Sequence, residues 1–179
     1  MKNPKKNILI IAGSDSIGGA GIQADIKTCE AYGCYSATAI TALTAQNTSD
    51  VSAVMPVTSE FLNAQLEAVC TELKFDAVKI GMLFNEPIMD VVQSFLEKNS
   101  APVVLDPVCV SKMGHKLIKD SAIERLKELM KFAMGNSVAI QDNNGNYKLD
   151  KRRSDEKIDN VAALMDAWVA MTRNREMFM

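Results

Sequence analysis

The stretch "NILIIAGSDSIGGAGIQADIKTCEAYG", residues 7–33, decides how the rest of the chain is read. Asn7–Gly13 is an unbroken apolar run rich in β-branched residues, the pattern of a strand covered on both faces. A polar, glycine-rich turn follows in "SDSIGGAG". Apolar residues then return at helical spacing as Ile22, Ile26 and Cys29, and Gly33 stands where a C′ glycine would stop the helix. A covered strand, a glycine turn and a helix make the first half of a βαβ unit.

The pattern repeats outward from that stretch. "YSATAITALTA" and "VSAVMPV" read as extended segments. Phe61–Leu73 is helical through Leu62, Leu66, Val69 and Leu73. "DAVKIGM" is a short strand, Glu86–Lys98 a helix opening after Asn85 near Pro87, and "PVVLD" another strand. Ser121–Phe132 is a helix with Ile123, Leu126 and Met130 on one face. The alternation predicts parallel βαβ units, an α/β sheet with flanking helices. Ligands of such sheets collect outside the carboxyl ends of the strands. That rule selects Gly13–Gly21, Gly81–Asn85 and Asp106–Gly114, and it favours a small-molecule site.

Composition agrees with a folded domain and excludes several classes. The 179 residues are 47% hydrophobic and 23% charged, the proportions of a globular chain. A net charge of −2 offers no electrostatic footprint for nucleic acid. "MKNPKKNILIIAG" has an apolar run too short for a signal peptide, and no stretch is long enough to span a bilayer. Cys29, Cys34, Cys70 and Cys109 contain no CxxC pair, so they read as buried free thiols of a reducing cytoplasm. His115 is the only histidine, which rules out a histidine metal cluster, and no GxSxG accompanies it.

Three ordered motifs make the reading specific: "IAGSDSIGGAGIQADIKTCEAYGCYSATAITALTAQNT", "DAVKIGML" and "VVLDPVCVSKMGHKLI". From about Asn7 to Phe132 the chain closely resembles the hydroxymethylpyrimidine/phosphomethylpyrimidine kinases of thiamine synthesis, in the ribokinase-like superfamily. The resemblance implies ATP-dependent phosphorylation of a pyrimidine alcohol, with ATP and Mg2+ as cofactors. It assigns the backbone of Gly13 to the pyrimidine, Asp25 and Gln46 to the ring and its hydroxymethyl arm, and Met82 and Val108 to apolar walls. Gln46 carries both a donor and an acceptor, which suits an aminopyrimidine edge. Asp106 matches an acidic position near the phosphate and magnesium.

Each polar position also has a plain structural reading: Asp25 as a solvated or capping carboxylate, Gln46 as a turn residue, Asp106 as the end of a strand. Ile17, Cys109 and Met113 depart from the family pattern, and Ile17 and Met113 add bulk beside the substrate or phosphate. Past Phe132 the resemblance leads one to expect an "NLPEAE"-like magnesium motif. It also calls for a "GTGC"-like turn carrying the anion hole and catalytic base. No GTG occurs in the chain. The sequence therefore predicts a truncated kinase with an acceptor half-site, no catalytic residue and no appreciable turnover alone.

The remaining residues read differently. "SVAIQD" and "YKLDK" flank "NNGN", a strong hairpin signal. A charged stretch, "KLDKRRSDEK", precedes a helix with Ile158, Val161, Leu164, Met165 and Trp168 on its apolar face; Ser154 is its candidate cap. In "GNSVAIQDNNGN", "KLDKRRS" and "EKIDNVAALMDA" this tail resembles the C-terminal end of phage terminase large subunits. By that likeness Asp159 is a metal-binding carboxylate; its structural reading is an acid in the first turn of a helix. The whole is expected to be a chimera of residues 1–132, a pyrimidine-kinase-like domain, and 133–179, a terminase-like tail. Two further readings stay open, a non-catalytic pyrimidine-binding module and a remnant of a DNA-packaging nuclease. The kinase resemblance also implies a homodimer through Tyr35–Val57, while charge and hydropathy lead one to expect neither a nucleic-acid nor a membrane partner.

Overall fold

The structure is a computed structural model of the 179-residue chain. It describes residues 5–111, 114–134, 139–141 and 147–149. A five-stranded sheet has the order β3-β2-β1-β4-β5. Its strands are β1 (Asn7–Asp15), β2 (Tyr35–Gln46), β3 (Val51–Pro56), β4 (Ala77–Ile80) and β5 (Val103–Leu105). The helices are α1 (Gly21–Ala31), α2 (Ser59–Glu72), α3 (Glu86–Leu96) and α4 (Ile123–Met134), the last preceded by a 3-10 turn at Asp120–Ala122. The predicted α/β sheet with flanking helices is what the chain forms.

Strand β1 is the hub, parallel to β2 on one side and to β4 on the other, while β5 adds parallel to β4. Within this sheet the edge pair β2–β3 is antiparallel, because its short connection leaves no room for a crossover. Ile10 and Ala12 pack with Ile22 of α1, and Cys29, Ile8 and Ile40 lean on them. Strand alternation turns Leu9 and Ile11 to the opposite face, where both are fully buried. Helices α2, α3 and α4 cover that side through Leu62, Leu66, Ile88, Met89, Val92, Leu126 and Leu129. Arg125 of α4 ties to α3 at Asp90 and Gln93, both at 2.7 Å.

Local signals set the helix ends. Thr58 and Asn85 cap α2 and α3 by accepting from the Phe61 and Ile88 amides, and Gly33 at φ +72° follows α1 as its C′ residue. Helix faces differ in detail from the periodicity. In α1 the inward set is Ile22, Asp25 and Cys29, and Ile26 is exposed; in α4 it is Leu126 and Leu129, following Ala122 of the 3-10 turn, with Ile123 exposed. The cysteines are free, as expected, but not buried as expected: Cys29, Cys34 and Cys109 are half-buried and Cys70 is exposed. Cys70 sits about 100° around the helix from Val69, off the stripe that carries Leu62 and Leu66.

The chain divides into two compact units, Met1–Leu129 and Met130–Met179. In the second, β6 (Ala139–Gln141) and β7 (Tyr147–Leu149) pair antiparallel, the predicted hairpin in a shorter form. Its Asn-Gly turn, the predicted C-terminal helix with Ser154, and Asp159 lie outside the described residues. Among the described residues no helix is long and apolar enough to cross a membrane.

The amino ends of β1 and β4 are pinned by one carboxylate. Asp76 accepts from Lys6 Nζ at 2.7 Å and from the Asn7 amide at 2.9 Å, and its own amide donates to the Asn7 carbonyl. The hydrogen bond from Lys6, and then that from Asn7, hold the Asp76 carboxyl below its usual range. A depressed carboxylate stabilises the fold above the unfolded titration and loses that contribution as pH falls through the folded value. Urea midpoints taken from about pH 7 down to pH 2 should therefore fall more steeply in the wild type than in Asp76→Asn.

Candidate functional site

At the carboxyl edge of the sheet, β1 carries Gly13 where its neighbours would otherwise meet a side chain. The β1–β2 register shifts between Ala12 and Ser14, with Thr41 and Ala42 facing the gap on β2. Thr41 is fully buried, and its hydroxyl donates to the Met82 carbonyl at 2.7 Å. A methyl group on Gly13 would come within 2.8 Å of Met82 Sδ and 3.6 Å of the Ala42 carbonyl oxygen. Met82 therefore lies directly on Gly13, buried with Ala42, Val51 and Leu117. The sequence-predicted pair Gly13 and Met82 is brought into contact.

Beyond Gly13 the chain turns on Asp15, which is only 3% exposed. Its carboxylate accepts from the amides of Ile17 (3.1 Å), Gly19 (2.9 Å) and Ala20 (2.8 Å). Ala20, the N-cap of α1, has no side chain to do this, so Asp15 satisfies donors at the helix start from five residues back. Gln23 of α1 closes the loop from the other side, accepting from the Asp15 amide at 2.8 Å and donating to Ser14 Oγ at 2.7 Å. Gly21, at φ +56°, lies so near the Gly13 carbonyl that a Cβ there would collide with it. Only glycine meets both demands.

Gln46 ends β2 beside this loop. The Ser16 hydroxyl accepts from the Gln46 amide at 2.8 Å and reaches the Gln46 carbonyl at 2.9 Å. Thr44 Oγ1 donates to the Ser14 carbonyl at 2.9 Å and lies 3.3 Å from Gln46 Oε1. Asp25 is half-buried and not a cap: its Oδ2 meets Lys79 Nζ of β4 at 2.7 Å, each side chain 24% exposed. Lys79 Nζ in turn would touch a Cβ on Gly81, at 3.2 Å, so Gly81 leaves the ammonium room.

Asp106 and Val108 occupy the loop after β5. The Asp106 amide donates to the Ile80 carbonyl at 2.8 Å, which places Asp106 at the same edge, and both side chains are exposed. Among the described residues no group of three or more His, Cys, Asp or Glu side chains could hold a metal ion. Cys109 lies just beyond Val108, and burial pushes its thiol above the ordinary value, which disfavours the thiolate.

Periodicity and motif order did not single out Asp15, Gln23, Thr41 or Lys79. Asp15 alone left a local signal, an acid between a covered strand and a glycine turn. Thr41 and Lys79 act on residues 41 and 54 positions away, and Gln23 reaches back across the glycine turn to Ser14 and Asp15. Gly21→Ala should cost about 2 kcal/mol or more through backbone collision and strain, read by urea denaturation. Thr41→Val, which orphans the buried Met82 carbonyl, should cost about 1–3 kcal/mol in the same assay.

Comparison with known proteins places this chain in a family. The family model for phosphomethylpyrimidine kinase matches residues 15–135. The hydroxymethylpyrimidine/phosphomethylpyrimidine kinase of Bacillus subtilis is 49% identical over 123 residues, 68% of this chain and 45% of the relative. The crystal structure of phosphomethylpyrimidine kinase from Clostridium difficile 630 superposes with TM-score 0.64 at 38% identity, covering 79% of this chain and 67% of the other. Pyridoxal kinase from Staphylococcus aureus in complex with AMP-PCP and pyridoxal gives TM-score 0.54 at 36% identity, over 59% of this chain and 40% of the other. The chain spans about half the length of the curated Bacillus relative. The terminase likeness of the tail rests on its sequence motifs alone. With its family match over most of its length, its sheet and its glycine loop, the chain belongs to the phosphomethylpyrimidine kinase family.

Proposed function

We propose that residues 1–132 are the acceptor-binding half of a hydroxymethylpyrimidine/phosphomethylpyrimidine kinase of thiamine synthesis, holding a pyrimidine alcohol at the carboxyl edge of the sheet. The observation that supports this best is the Gly13–Met82 contact. A side-chain-free backbone next to a polarizable thioether makes a flat surface on which an aromatic ring can rest. Gln46 supplies a donor and an acceptor to the ring edge. Asp25, held by Lys79 through one oxygen, offers the other to an exocyclic N–H. Val108 is the second wall, and Asp106 stands on the side where phosphate and Mg2+ enter.

ATP with Mg2+ would supply the phosphoryl group, as the family implies; the AMP-PCP in the Staphylococcus pyridoxal kinase supports a nucleotide at the equivalent fold. Phosphoryl transfer depends on positioning, charge stabilisation and a base. The 179 residues contain no GTG turn to supply the anion hole. We infer that they bind the acceptor without transferring phosphate by themselves. Residues 133–179 form a separate tail in this reading. The chain works in the cytoplasm, where its free thiols stay reduced, as a dimer joined through Tyr35–Val57.

Calorimetric titration with hydroxymethylpyrimidine tests the binding step. Saturable binding is expected, weakened about tenfold or more in Gln46→Ala because buried ligand polar groups lose their partner. A wild type that folds cooperatively and shows no binding heat would overturn the assignment. An ATP- and magnesium-dependent heat of turnover would instead overturn the claim that these residues do not transfer phosphate.

A further inference from the structure

The only histidine of the chain has no role in the site as proposed. His115 Nε2 lies 2.6 Å from Asp50 Oδ1, with the side chains 45% and 50% exposed. Asp50 belongs to the β2–β3 turn, one residue before Val51 and four after Gln46. His115 belongs to the loop between β5 and α4, seven residues after Val108. Strands β3 and β5 are the two opposite edges of the sheet, roughly 19 Å apart at ordinary strand spacing. The pair therefore joins chain from both edges above the carboxyl ends of the strands.

Each partner is held by its own scaffold. Asn47 Oδ1 accepts from the amides of Ser49 and Asp50, both at 2.8 Å, and the Asn47 amide donates to the Asp50 carbonyl at 2.9 Å. On the other side Val110 bridges Lys116, Ser111 and His115 exchange two hydrogen bonds, and the Leu117 amide donates to the Cys109 carbonyl at 2.8 Å. Beneath the pair, Val51 and Leu117 are buried in one group with Ala42 and Met82. The turn and the described residues of the loop thus meet twice, once through an apolar layer and once through the imidazole and carboxylate.

We propose that Asp50 and His115 form a latch that holds the Val108 loop to the Gln46 turn across the site, and that both are positioning residues. The Nε2–H donates to the carboxylate in neutral and protonated imidazole alike, so the latch needs only that tautomer. The effect on ligand rests on the pyrimidine reading; the coupling of the two loops does not.

Amide hydrogen exchange of the ligand-free protein, with hydroxymethylpyrimidine calorimetry beside it, separates the two. The variants are His115→Ala, Asp50→Ala, both together, and the exchanged pair Asp50→His with His115→Asp. Each single variant should speed exchange of the opposite segment, Asn47 in one case and Leu117 in the other, by about two- to fivefold, the effect of an exposed pair. The double variant should do no more than either single one, and the exchanged pair should restore protection. Hydroxymethylpyrimidine affinity should fall and recover in parallel. Opposite segments that do not respond, or effects that simply add, would overturn the latch. If the segments are coupled and the wild type binds no pyrimidine, the latch stands and the pyrimidine reading falls. If ligand binds equally to every variant without coupling, the reverse holds.

Discussion

Everything at the carboxyl edge depends on the crossing at Gly13. The central strand lacks a side chain at the point where Thr41, from one neighbouring strand, reaches the Met82 carbonyl after the other. A Cβ at Gly13 would meet Met82 Sδ at 2.8 Å, so Met82 would have to swing away. Met82 in turn anchors the apolar group that receives Val51 and Leu117. One missing methyl group thereby lets three strands and two loops converge.

The glycine loop is the second consequence of that crossing. Its backbone cannot join a ladder, so its amides need a partner of another kind. Asp15 supplies one, buried at the end of the same strand and facing three amides. Gln23 and Ser16 extend the arrangement to α1 and to β2. Hydrogen bonds from β1, α1 and β2 thus fix the loop at its base.

Electrostatics at this edge works in pairs rather than as a field. The net charge is only −2, and the informative charges are local. Lys79 with Asp25 is partly shielded from water and ties helix α1 to strand β4. His115 with Asp50 is half exposed and contributes little stability on its own. Its interest is geometric, since it brings together the turn after β2 and the loop after β5.

What the sequence alone determined is the order and type of the elements, because each leaves a local record. Asn7–Gly13 reads as a covered strand, Asn85 and Gly33 mark helix ends, and the ordered motifs carry the resemblance to the kinase family. Gly13 and Met82 were legible through those motifs. The tertiary structure alone decided which way side chains face and what they meet. Helix α1 turns Asp25, not Ile26, toward the sheet because Lys79, 54 residues away, offers a partner there. Strand β3 runs antiparallel, and Asp15 caps a helix to which it does not belong. Periodicity records the chain's own neighbours at three or four residues. A hydrogen bond or ion pair between distant segments leaves no such record, since it depends on where the fold brings them.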